Sequence, residues 1–141
     1  MVEVEYKICD GVYYIHKMDH RDGTHDKSQW IIDLESERNC FRLTYDSHWC
    51  IPPHLGWGLH FDKGQVAYLG RTNARVQERR DIFIAKFVDG DRNSRWHGYP
   101  ADHVKNRQDI PPESVLRNWA DSQFIRRALV RKIASGQRCK L

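Results

Sequence analysis

The sequence predicts an α+β domain, an antiparallel sheet of about six to seven strands with a C-terminal helix packed on one face. Three observations predict it. Short segments of alternating or continuous apolar character, separated by turn residues, fill most of the chain up to Pro112. Beyond Pro112 the apolar period changes to three and four. The 141 residues are 40% hydrophobic, with 5 Trp, 6 Tyr and 5 Phe, enough for one modest core, so a single domain over residues 1–141 is expected.

In "VEVEYKICDGVYYIHKM", Val2, Val4, Tyr6 and Ile8 alternate with Glu3, Glu5 and Lys7, the period of a half-buried strand. Asp10-Gly11 suits a tight hairpin, giving strands at about residues 2–9 and 12–18. The polar run Asp19 to Ser28 reads as an exposed loop. "QWIIDL" and "CFRLTY", on either side of "ESERN", read as a second hairpin, and "WGLHF" and "QVAYLG" as a third across Asp62-Lys63-Gly64. "IFIAKFV", Ile82 to Val88, is apolar enough for a central strand that "DGDRN" closes.

At the end of the chain, Val115, Leu116, Trp119, Ala120, Phe124, Ala128, Leu129 and Ile133 form a helical stripe. Pro112 and Glu113 suit its start and Gly136 its stop. Asp121-Ser122 marks a break, so the stripe is one bent helix or two short ones.

Charge is unevenly placed. Residues 113–141 hold seven Lys and Arg against two acids, whereas residues 1–112 are nearly balanced, so the net +4 belongs to the tail. The four cysteines lack metal-site or redox spacing, and no segment reads as a signal or a membrane span. A cytoplasmic protein without cofactor or metal is expected.

The stretch "RWHGYPADH", Arg95 to His103, raises two readings. His97, Asp102 and His103 have the chemistry of a general acid and base with an orienting carboxylate. Alternatively the stretch is an elbow, in which Trp96 and Tyr99 pack, Gly98 bends the chain, Pro100 stiffens it and His97 faces away. No complete catalytic signature accompanies it, and the elbow is preferred.

From "WHGYPADH" through "DIPPESVLRNW" to "RKIASG" the chain resembles small uncharacterised bacterial proteins of mobile gene cassettes, over about its last third. The resemblance implies no activity and no site residues.

Other clusters add candidates. His16, His20, Asp22, His25 and Asp26 include metal-ligand types, but His16 falls on the expected second strand and the others on a segment that reads as a solvated loop. "HWCIPPHLGWGLH" holds a Cys-His pairing, but reads best as a rigid aromatic loop presenting Trp49 and Trp57 for recognition. Arg71, Arg75 and Arg79 at steps of four would align on a helical turn, and Arg127 and Arg131 extend the basic theme in the tail. The leading expectation is a small non-catalytic protein that binds a protein or nucleic-acid partner through the aromatic loop and basic helix, with a homodimer through a sheet edge or the terminal helix as a further option. The alternative is a small hydrolase or nuclease, with His97 or His103 as acid or base and Arg75 or Arg79 steadying a phosphate.

Overall fold

A computed structural model describes residues 4–51, 54–73 and 79–141. The first hairpin joins β1 (Glu5–Cys9) to β2 (Val12–Ile15), with Gly11 at a φ of 77° in the turn between them. A two-residue strand, β3 (Gln29–Trp30), precedes α1 (Leu34–Asp46). Then follow β4 (Cys50–Ile51), β5 (Leu55–Asp62), β6 (Gln65–Ala67), β7 (Gly70–Arg71), β8 (Asp81–Ile82), β9 (Ile84–Val88) and β10 (Arg95–Pro100), before α2 (Glu113–Asp121) and α3 (Arg127–Ala134).

The main sheet has seven strands, in the order β1-β2-β10-β9-β5-β4 with β6 paired to β5. It is antiparallel except where β10 runs parallel to β2. A small second sheet, β3-β7-β8, sits beside it. The α+β class, the mostly antiparallel sheet and the C-terminal helical region are therefore as expected. The tail forms two helices, with Phe124 N bonded back to Trp119 O at the break. None of the helices among the described residues is long and apolar enough to cross a membrane.

The expected second hairpin is instead a helix. Asp33 caps α1 by accepting a hydrogen bond from Ser36 N at 2.7 Å, and Glu35 and Glu37 lie in the first turn, where the helix dipole favours negative charge. Glu37, Cys40, Phe41 and Thr44 are the buried positions, which is helical spacing in a segment whose β-formers suggested strands.

As a result both faces of the sheet are covered. One core holds Trp57, Leu59, Ile84, Leu116, Trp119, Leu129 and Ile133 beneath α2 and α3. The other holds Tyr14, Phe41, Ala85, Phe87 and Trp96 beneath α1. The alternation of Ile84 and Ala85 between the two cores follows from the two-residue period of a strand. Phe124, expected on the buried stripe, is 38% exposed and lies edge-on to Phe61 and Trp49.

Close approach explains two glycines. A Cβ on Gly58 of β5 would stand 1.9 Å from Thr44 Oγ1 of α1, and one on Gly98 of β10 would stand 2.3 Å from the Phe87 ring. Gly98 therefore makes room for a ring within a straight strand. Gly58→Ala is expected to destabilise the protein by about 1–3 kcal/mol, as overpacking a filled site does, whereas Gly90→Ala, with open space around it, should change stability by less than about 0.5 kcal/mol. Urea unfolding of the two variants checks this, and equal midpoints would contradict the close packing of α1 on β5.

Candidate functional site: a basic cleft

"RWHGYP" is strand β10, and the turn follows it, over residues 103–105. Trp96, Gly98 and Pro100 are buried on one face while His97 and Tyr99 share the other, half-buried. Trp96 is buried as expected, whereas Tyr99, expected to be buried with His97 on the opposite side, is half-buried and shares the His97 face because strand alternation sets it there. Trp96 is packed against Phe41 and Tyr45.

The segment after β10 is organised by Asp109, which is 2% exposed. Its carboxylate accepts from Tyr99 Oη at 2.7 Å, from the backbone N of Asp102 at 3.1 Å and from Asn106 Nδ2 at 3.3 Å. Lys86 Nζ stands 3.9 Å away and donates to Gln108 O at 2.6 Å, and Trp57 Nε1 donates to Asp109 O at 3.2 Å. Burial first, then the neighbouring carboxylate, raises the Tyr99 phenol far above its ordinary range, so it stays a donor. Burial lowers the Lys86 ammonium, and Asp109 opposes that shift.

Fixed in this way, Asp102 accepts from Arg80 Nη2 with both oxygens, at 2.9 and 3.0 Å, and from the backbone N of Val104 and Lys105. His103 Nε2 lies 2.8 Å from Gln137 O. A carbonyl only accepts, so Nε2 carries the hydrogen, and Nδ1 holds the lone pair of the neutral ring. Desolvation is the largest influence on His103 and lowers its pKa, although the Gln137 bond acts the other way.

These residues form one wall of a cleft of about 690 Å³. Arg79 and Arg80 stand on one side, Arg126 and Lys132 of the helical region on another, and Arg138 and Lys140 of the tail close it over a floor that includes Ile84, Ala101 and Leu129. Six cationic side chains line it against two carboxylates, Asp81 and Asp102. Both acids are already engaged, Asp81 with Arg71 at 3.4 Å and Asp102 with Arg80. Arg126, Lys132 and Lys140 have no carboxylate partner among the described residues.

Of the sequence candidates, the cleft brings together Asp102, His103 and Arg79. His97 lies elsewhere, in a depression with Lys17, His20, Lys27 and Tyr99, so the two histidines do not act on one ligand atom. Arg71 is in extended β7, and so does not align with Arg79 on a helical turn; Arg75 lies outside the described residues. Arg127 and Arg131 line a different depression, beside Glu113 and Asp121, and Arg127 pairs with Asp121 at 2.7 Å. Trp49 and Trp57 are each 3% exposed, so the expected recognition loop is core: Trp49 Nε1 donates to Asn118 and packs on Trp119. Burial raises the Cys50 thiol to about 11, far from a nucleophile's range.

The histidine-rich loop also has structural roles. His16 is buried beside Glu37, whose carboxylate accepts from Tyr14 Oη and from Arg21 Nε and Nη2. His20 stacks on Tyr99 and lies 2.8 Å from Ser28 O. Arg80, Arg126, Lys132, Arg138 and Lys140 are the cleft residues not singled out as site residues from sequence, although the basic tail was the signal that pointed to four of them.

No family model matches the chain, and no curated protein or solved structure matches it significantly. The cleft's own geometry is therefore the basis for a functional reading.

The His103 shift implies a pH dependence. Because its folded pKa is lowered, its stabilising contribution is complete above about pH 6.5 and is lost as pH falls through the folded value. Thermal melts from pH 7 downward should fall less steeply for His103→Gln, which keeps a donor for Gln137 O but binds no proton. Parallel curves for the two proteins would contradict a neutral, buried imidazole.

Proposed function

We propose that the protein binds nucleic acid, with phosphate groups lodged in the cleft between Arg79, Arg126, Lys132 and Lys140. The observation that carries this reading is the cleft's charge, six cations against two carboxylates that are both already paired. Guanidinium and ammonium groups around a recess pair with phosphate, and counterion release adds to the affinity. Free thiols at all four cysteines support a reducing, cytoplasmic setting.

The test is fluorescence anisotropy with labelled RNA and DNA oligonucleotides across a salt series. Affinity should fall linearly in a plot of log K against log salt. Arg126→Ala with Lys132→Ala is expected to weaken binding by about tenfold or more and reduce the slope by about two. Arg127→Ala with Arg131→Ala, on the other depression, should leave affinity within about twofold, since those side chains are outside the cleft. The opposite ranking would move the interface to the outer face of α3.

One observation favours hydrolysis as a second reading: His103 lines the same cleft, neutral, with Nδ1 left to accept a proton. On that reading the purified protein cleaves RNA or a phosphoester, and His103→Ala lowers the rate by about 100-fold with folding retained. Absence of turnover alongside salt-dependent binding leaves the binding reading alone.

A further inference from the structure

We infer that residues 137–141 form a strap whose seating over the basic cleft is coupled to anion binding, so that phosphate in the cleft holds the strap down and the strap in turn tightens the hold on phosphate. This inference rests on the phosphate-binding reading of the cleft and adds a conformational step to it.

The chain reaches the cleft by a sharp turn. α3 closes in a Schellman motif: Gly136, at a φ of 72°, donates its N–H to Ile133 O, and Gln137 N donates to Lys132 O. Residues 137–141 beyond that turn belong to no helix or strand. The segment is tied near both ends to residues that line the cleft. His103 Nε2 donates to Gln137 O at 2.8 Å, and Leu141 N donates to Tyr68 Oη at 3.3 Å. Between the ties the half-buried Cys139 packs against the core of α2 and α3, while Arg138 and Lys140 line the cleft.

Electrostatics opposes that seat. The strap, Gln-Arg-Cys-Lys-Leu, carries two cations and no acid, and it meets a cleft already lined by Arg79, Arg80, Arg126 and Lys132. Burial raises the Cys139 thiol, and Lys132 and Arg126 act against that shift, which places both cations close to the middle of the strap. Neither of them, nor Lys140, has a carboxylate partner among the described residues. Seating the strap therefore brings like charges together, and their repulsion works against the two ties and the Cys139 packing. A phosphate among these groups reverses the sign, because each cation then faces an anion. A ligand that binds the seated state better than the lifted one shifts the population toward it, and by linkage the seated strap adds to the ligand's affinity.

The experiment measures backbone order parameters of residues 138–141 by nitrogen-15 relaxation. Three samples are compared: the free protein, the protein with pyrophosphate, and the protein with an oligonucleotide of about 12 nucleotides, at one low salt concentration. The free protein is expected to give order parameters of about 0.6 or lower, rising with either anion to about 0.85, the level of rigid backbone. Lys140→Glu, at an exposed position, brings a carboxylate into the cleft as part of the strap. Without any ligand it should raise the strap's order parameters toward those of the anion-bound protein, and it should weaken oligonucleotide binding by about tenfold. A cation that merely touches the ligand would show the loss of affinity without the gain of order. Lys140→Gln, which removes one charge and adds none, is expected to give a smaller change of both kinds. If residues 138–141 are equally ordered in all three samples and Lys140→Glu does not change them, the strap is a fixed wall and the inference is overturned, while oligonucleotide binding in the same samples upholds the cleft. If pyrophosphate orders the strap and no oligonucleotide binds, the nucleic-acid reading fails and the strap stands. If neither anion binds, the phosphate reading of the cleft fails and the coupling fails with it.

Discussion

The carboxylate of Asp109, buried at the junction of sheet and helices, is the interaction on which the site depends. A charge taken out of water is strongly unfavourable unless hydrogen bonds and a counter-charge replace the solvent. Asp109 receives bonds from Tyr99, the Asp102 backbone and Asn106, with Lys86 nearby. Those partners come from β10, β9 and the turn before α2, so satisfying one carboxylate fixes the path of the chain between sheet and helical layer. Asp102 and His103 take their positions from that path, and Arg80 is in turn held by Asp102. The cleft wall is therefore rigid for an electrostatic reason, although its floor is apolar.

The cations of the cleft come from opposite ends of that organisation. Arg79 and Arg80 precede β8, whereas Arg126, Lys132, Arg138 and Lys140 belong to the helical tail. Like charges drawn together from separate segments repel, and a fold keeps them close only where packing outweighs the repulsion. Here Leu129 and Ile133 of α3 are buried on one side, and the neighbouring positions carry the charge. On another side of the same helix Arg127 pairs with Asp121 of α2, whose Glu113 is already held by Arg117.

A second buried carboxylate, Glu37, plays the corresponding part on the other face of the sheet. Tyr14, Arg21 and His16 gather on it, which joins the first hairpin, the loop after it and α1. Arg38 Nη1 reaches His16 Nε2 at 3.1 Å and its guanidinium lies over Tyr6. Of the histidines that read as solvated or metal-ligating in sequence, His16 belongs to this network and His20 stacks on Tyr99, while His25 is exposed.

What the sequence determined was set by local chemistry. Asp10-Gly11 and Asp62-Lys63-Gly64 need no distant partner to turn the chain, the apolar run IFIAKFV supplies a central strand, although only over Ile84–Val88 with Ile82 paired in the second sheet, and the three-four period after Pro112 marks the helical tail. The excess of tail charge was likewise legible. Where the local signal was mixed the reading failed: residues 34–46 combine β-formers with a helical burial pattern, and only the space over Gly56 and Gly58 shows which preference wins. The tertiary structure alone decided that Trp49 and Trp57 are core, that His97 and His103 are separated, and that Arg79 meets the tail. Burial and convergence are properties of residues distant in sequence, and no local period encodes which side of a strand a remote helix will cover.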